Sequence, residues 1–310
     1  MASDLKNAAV PSDGMQEPAR YGEIFDRGYR HYDGPRLGRG HAYGALVRFS
    51  IKRALGIRKS WTAKIMPILL YVAVALPVVI SLGIRAFLPN ASVLEYHDFF
   101  GFIFVIEGIF VAMIAPEMLC EDRRQNVLPL YFSRALSRAD YVVAKLAAVA
   151  TLTLTMSLVP AAILWLGRQL LEGSPLSAMK ENAGDLGRIV VAGTIIALYL
   201  GSIGLMISSF TPRKAISVAV TVIAFILSTF LAYALAAAIE SPDYERFLVF
   251  LSPTDTISGF VHRLFDVEWF EGNGNGFSFW NFTQWEYLLG MGGIVAVAFG
   301  VMWWRYVPNE

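Results

Sequence analysis

One cysteine, Cys120, in 310 residues has nothing to pair with inside the chain, which excludes an intrachain disulfide framework and any cysteine-rich metal site. Charge is scarce as well: Asp, Glu, Lys and Arg make up 16% of the residues, against roughly 25% in a soluble domain. Of the four histidines, His31, His41, His97 and His262, none stands at ligand spacing from another. With no His-Glu-x-x-His run and no second acid near the middle of an apolar stretch to pair with Glu107, the sequence gives no motif for an intramembrane hydrolase. It also lacks a Gly-x-x-x-x-Gly-Lys-Ser/Thr phosphate loop, so ATP chemistry has to come from another polypeptide. Residues 1–40 contain no apolar core of a signal peptide, and the membrane address is expected in internal helices.

What the chain has is apolar length. Hydrophobic residues make up 55% of it, and the mean hydropathy is +0.50. About 20 apolar residues are needed to span the hydrocarbon core, and six stretches qualify: Ile65–Leu88, Phe99–Leu119, Tyr141–Leu166, Ile189–Phe210, Ala215–Ile239 and Glu286–Val307. Thr211-Pro212-Arg213-Lys214 separates the fourth from the fifth. Twenty of the 26 Lys and Arg residues fall in segments 1–64, 120–145, 213–214 and at 305, and the alternate loops and their flanks hold six. The excess marks the cytoplasmic side. An even number of spans agrees with it, so both termini are expected in the cytoplasm. The predicted class is therefore an all-α polytopic membrane protein.

Outside the spans, residues 1–41 read as a polar cytoplasmic tail. Its aromatic and cationic motif Gly28–Arg36 reads either as a surface-lying tail or as a docking strap for a partner. Residues 42–64 predict an amphipathic helix, with Leu46, Val47, Ile51, Ala54, Leu55, Ile57 and Trp61 on one half of the wheel and Arg48, Lys52 and Lys59 opposite. Such a helix is expected in the cytoplasmic interface, its basic face towards lipid phosphates; the plainer reading is a topology signal. Residues 240–285 are aromatic-rich and broken by Ser252-Pro253-Thr254-Asp255, which predicts two short re-entrant or interfacial helices before the last span. Residues 65–310 form the six-helix transmembrane domain.

The loop between the second and third spans, residues 120–140, is the most informative segment. Glu121, Asp122, Arg123 and Arg124 cluster where the second span ends. Val127, Leu128, Leu130, Tyr131 and Phe132 then come together, followed by Arg134 and Arg138. A solvated loop rarely gathers so many apolar residues. They suit packing under the bundle or insertion into a partner's groove, and the pattern alone does not choose between these.

Glu107 is the one carboxylate near the middle of a span. It reads either as a contact group in a translocation path or as a structural carboxyl tying spans together. Glu117 and Lys145 lie near span ends, where snorkelling is expected to suffice.

Taken in order, these pieces resemble the permease subunit of ABC-2-type transporters, bacterial and of the type V exporter kind. The resemblance covers roughly residues 42–307 and rests most on the run from Glu121 to Lys145, Glu-Asp-Arg-Arg … Leu-Pro-Leu-Tyr … Arg-Ala-Leu-Ser-Arg-Ala-Asp-Tyr … Lys. The tail motif is similar to leaders on some bacterial members. This resemblance implies that Glu121–Asp140 seats in a cleft of a separate ATP-binding subunit. Leu128, Leu130, Tyr131 and Phe132 would fill that cleft, while Glu121, Asp122, Arg123, Arg124, Arg134 and Arg138 would pair at its rim. It further implies two copies of the ATP-binding subunit, which hold ATP and Mg, and a second permease protomer, identical or a sister. No cofactor is expected on this chain and no nucleic-acid partner, only membrane lipid. The cell membrane is the implied location and export the implied direction. The rival reading is an autonomous channel or secondary transporter, although no internal repeat relates residues 65–166 to 189–307.

Overall fold

Local signals set the helix boundaries. In the computed structural model the helices run α1 Arg39–Ala54, α2 Thr62–Phe87, α3 Tyr96–Arg124, α4 Leu128–Phe132, α5 Arg138–Leu170, α6 Pro175–Glu181, α7 Ala183–Ser209, α8 Lys214–Ala238, α9 Pro253–Leu264 and α10 Gln284–Tyr306, with a 3-10 turn at Arg246–Leu251. The structure describes residue 34 and residues 37–57, 59–88, 94–133, 136–239, 246–267 and 282–307. The rest of motif 28–36, Arg58, Arg134 and the 268–281 part of the aromatic loop lie outside the described residues.

Six helices, α2, α3, α5, α7, α8 and α10, are long and apolar enough to cross a membrane. These are the six predicted spans, and the chain is an all-α polytopic membrane protein. Several run past the predicted limits: α3 continues five residues beyond Leu119 to Arg124, and α5 starts at Arg138 rather than Tyr141. A polar cap accounts for the early start of α5. The Ser137 hydroxyl accepts the Asp140 backbone N–H at 3.1 Å while the Asp140 carboxylate accepts the Ser137 N–H at 2.9 Å, a reciprocal cap that starts α5 early.

Helix α7 sits at the centre, packed against α5, α3 and α10. Its approach to α3 is close because Gly204 has no side chain: a Cβ there would lie 2.3 Å from Val111 Cγ1 and 3.4 Å from Ala115 Cβ. Gly204→Ala is expected to cost roughly 1–3 kcal/mol through overpacking, seen as a lower thermal midpoint of the purified chain. An unchanged midpoint would mean that Val111 turns aside freely. Around this centre, α2, α8 and α10 present rows of exposed side chains such as Val79, Phe230 and Val297, as a lipid-facing helix must.

The wheel of residues 42–64 is corrected by the structure. Helix α1 starts earlier, at Arg39, and ends at Ala54, because Gly56 takes φ +67° and turns the chain into an elbow. Ile57 and Trp61 therefore leave the apolar stripe and are exposed. Of the remaining stripe Leu46 and Ala54 are buried and Val47, Ile51 and Leu55 partly so, on a helix packed against α5 and α3, so protein covers this face. On the other side of the molecule the interruption at Ser252–Asp255 is a helix start. The Ser252 hydroxyl accepts the Asp255 N–H and Pro253 occupies the first turn of α9, whose Ile257, Phe260, Val261 and Leu264 are buried.

Candidate functional site

Between α3 and α5 the chain makes a tight corner. Asn126 adopts φ 51° at its first turn, a conformation asparagine tolerates, and the five-residue α4 follows. None of α4 is buried, but its residues divide into two sets. Tyr131 and Phe132 lie half-buried, their rings each 6.0 Å from that of Tyr141. Burial, and after it the nearby Asp122 carboxylate, push the Tyr131 phenol above its ordinary pKa. Leu128 is half-buried too. Leu130 is 60% exposed and Pro129 beside it is also exposed, so these two form the tip.

Under the tip lies a buried charge cluster. Asp122 has no solvent exposure. Its Oδ1 accepts from Arg53 Nη1 at 2.5 Å, and its Oδ2 from Lys145 Nζ at 2.7 Å and from the Tyr141 hydroxyl at 2.9 Å. Lys145 Nζ also donates to Ser50 Oγ at 3.0 Å. One carboxylate thus ties α1, α3 and α5 together directly behind α4. Because charges this deep hold only when paired and hydrogen-bonded, the corner is braced. Arg39 adds an outer brace from α1 to α5, with Nε 2.7 Å and Nη2 2.6 Å from the two Asp140 oxygens.

The structure thus sorts the predicted rim. Asp122 is removed from it, being wholly consumed inside the protein. Lys145 does not snorkel as its position near a span end suggested; it is 1% exposed and bound to Asp122 and Ser50. Glu117 likewise stays buried, paired with Lys59 and Lys214. Arg123 donates to the Ser209 carbonyl at 2.5 Å, where the last carbonyls of α7 favour a cation. Glu121 accepts from Arg124 at 2.6 Å and Gln125 at 2.5 Å along its own helix. Arg124 is the most available of these charges, with 69% of its side chain exposed. Arg138 stacks over the Phe132 ring at 5.6 Å, and Arg134 lies outside the described residues. Arg53, Ser50 and Tyr141 were missed by sequence reading; the one signal was that Asp122 and Lys145 sit near facing ends of successive antiparallel helices.

The family model described as ABC-2 family transporter protein matches residues 7–307 of this chain. The chain belongs to the ABC-2 transporter family. It is the membrane subunit of an ABC transporter, and a permease of this family works with an ATP-binding subunit. No curated protein matches the chain.

Within this ABC-2 permease, Glu107 is fully buried inside the protomer, and neither carboxylate oxygen has a hydrogen-bond partner among the described residues. Tyr71 of α2 and Ser157 of α5 are within electrostatic reach of it. Its neighbour Gly108 faces Phe225 of α8 instead, 3.5 Å from where a Cβ would lie. An ionised carboxylate without a counter-charge costs more there than its neutral amide isostere. Glu107→Gln is expected to leave the thermal midpoint unchanged or higher. A clear loss of stability would mean that an ionised carboxylate holds those helices together.

Proposed function

We propose that this chain is the permease of an ATP-driven exporter in the cell membrane, both termini cytoplasmic, with α4 as its coupling helix. The working complex has two permease protomers, identical or sister chains, and two ATP-binding subunits that hold ATP and Mg. The carrying observation is the Pro129–Leu130 tip, exposed on a five-residue helix and backed by the buried Asp122 cluster. An exposed apolar tip on a braced corner suits insertion into a groove, since little ordering remains to be done on binding. Arg124 stands exposed near it and suits pairing at the groove's rim.

On this reading, closure of the ATP-binding subunits displaces α4, and α1, α3 and α5 follow as one piece because Asp122 joins them. Transport is a shift between inward- and outward-facing states, driven by the different affinity of nucleotide for each. The permease supplies no reacting group. Since Glu107 is shut inside the protomer, a path between protomers reaches it only if the bundle opens.

The test is purification of the tagged chain from its native membranes in mild detergent. A stoichiometric ATP-binding polypeptide with ATP turnover is the expected result. A chain that purifies alone at every detergent strength would favour an autonomous channel or secondary transporter.

A further inference from the structure

Where α3 and α10 end and α5 begins, these helices and α4 frame an open cavity of about 350 Å³. Its walls are Arg123, Arg138 and Arg305 with Leu128, Phe132 and Tyr306, which makes three cations and no acid. The acids nearest in sequence are spent elsewhere. Glu121 pairs with Arg124, Asp122 with Arg53 and Lys145, and Asp140 with Arg39. The positive charge of this corner is therefore left uncompensated.

Two of these arginines keep donors to spare. Arg123 spends Nη1 on the Ser209 carbonyl at 2.5 Å, and Arg305 spends Nη2 on the Phe210 carbonyl at 3.4 Å. Those contacts tie α3 and α10 to the end of α7, and a purely structural arginine needs no more. Neither residue forms an ion pair among the described residues. Unlike Arg53 Nε and Nη2, their remaining nitrogens are not shut from solvent. Arg123 Nε and Nη2 and Arg305 Nε and Nη1 thus stay as solvated donors on residues that line the cavity. An unused guanidinium edge takes a carboxylate or phosphate oxygen in charge-assisted hydrogen bonds, often two at once.

Depth selects the anion. Helix α10 is of membrane-crossing length, and Trp303 and Trp304, 41% and 71% exposed, stand immediately before Arg305. Exposed tryptophans at the end of a span belong at the headgroup level. Arg305 is therefore there too, and so is Arg123, which meets the same end of α7. Basic pockets between the ends of spans hold anionic headgroups. We propose that this cavity binds an anionic phospholipid of the leaflet at that end of the bundle, its phosphodiester held by Arg123 and Arg305 beside Arg138. Val297 and Trp304, about two turns apart on one exposed strip of α10, offer its acyl chains an apolar surface. A carboxylate of a protein partner would meet the same donors but gains nothing from that strip. The assignment is independent of coupling through α4 and of any ATP-binding partner.

The experiment uses the full chain purified alone in mild detergent, supplemented with phosphatidylglycerol, phosphatidylcholine or inorganic phosphate. Retained lipid is read by native mass spectrometry and stability by thermal midpoint. The wild-type chain is expected to retain phosphatidylglycerol over phosphatidylcholine by about tenfold. Arg305→Gln and Arg123→Gln should each weaken phosphatidylglycerol retention about fivefold and leave phosphatidylcholine as it was. The wild-type comparison decides even where a variant loosens its hold on α7. Arg48→Gln, an exposed change on α1 outside the cavity, leaves the retention of both lipids unchanged. Equal retention of the two lipids by the wild-type chain overturns the site. Equal losses in Arg305→Gln and Arg48→Gln do so too, by showing general surface attraction. A midpoint raised as far by inorganic phosphate as by phosphatidylglycerol overturns the lipid assignment in favour of a free anion. Loss of an ATP-binding polypeptide from Arg305→Gln purified from native membranes, with phosphatidylglycerol retention unchanged, overturns it in favour of a protein contact.

Discussion

Leu130→Asp is expected to abolish co-purification of the ATP-binding subunit while the permease still reaches the membrane with its wild-type thermal midpoint. The two halves of this result come from different places. Leu130 is 60% exposed and nothing in α4 is buried, so a charge at the tip disturbs no packing within the chain. In an apolar groove the same carboxylate would be desolvated without a partner, which costs several kcal/mol. On a contact the size of a single coupling helix, that is enough to lose binding by 100-fold or more, taking about 1.4 kcal/mol per factor of ten. Tyr131→Asp is the poorer probe, because Tyr131 packs on Tyr141 and its loss disturbs the permease itself. If Leu130→Asp retained its partner at wild-type stoichiometry, α4 would not be the docking element.

Asp122→Asn is expected to destabilise the permease by about 3 kcal/mol, the size of change that breaking a buried ion pair produces. That corresponds to a fall in thermal midpoint of roughly 6–12 °C. Asparagine can still accept from Tyr141, but it leaves Arg53 and Lys145 as buried cations without an acid. Lys145 is 1% exposed and cannot reach water by a rotamer change alone. The decisive comparison is Asp122→Asn with Lys145→Met. Removing the orphaned ammonium should recover part of the loss, as coupled neighbours do in a double-mutant cycle. A single mutant within half a degree of wild type, or a double mutant that simply adds the two losses, would show that the cluster is not a unit.

What the sequence could reveal was set by the range of the interactions involved. Six apolar runs declare six helices because a bilayer demands about 20 apolar residues of each. Ser252-Pro253-Thr254-Asp255 marks the start of α9 because capping is decided within four residues. The Asp122 cluster was illegible for the opposite reason: Arg53 lies 69 positions from Asp122, and Ser50 lies 95 from Lys145. Periodicity identifies a face, but it does not say which faces meet. Helix α1 makes the same point, since its apolar stripe is visible on a wheel while the helices that cover it are not. The cavity of Arg123, Arg138 and Arg305 joins three separate helices and was equally hidden.

The length of α3 has a mechanical consequence. It runs 29 residues without interruption, about 43 Å at 1.5 Å per residue. Its close approach to α7, where Val111 meets Gly204, lies near the middle, some 20 Å from either end. A rod held near its midpoint behaves as a lever with equal arms. Any tilt about that fulcrum carries Arg124 and Tyr96 in opposite directions by nearly the same amount. If α4 is the coupling helix proposed above, a push at its corner would reach the Tyr96 ring, 5.9 Å from Phe265 beside α9, only as far as α3 stays straight through Pro116, where the helix lacks one backbone hydrogen bond.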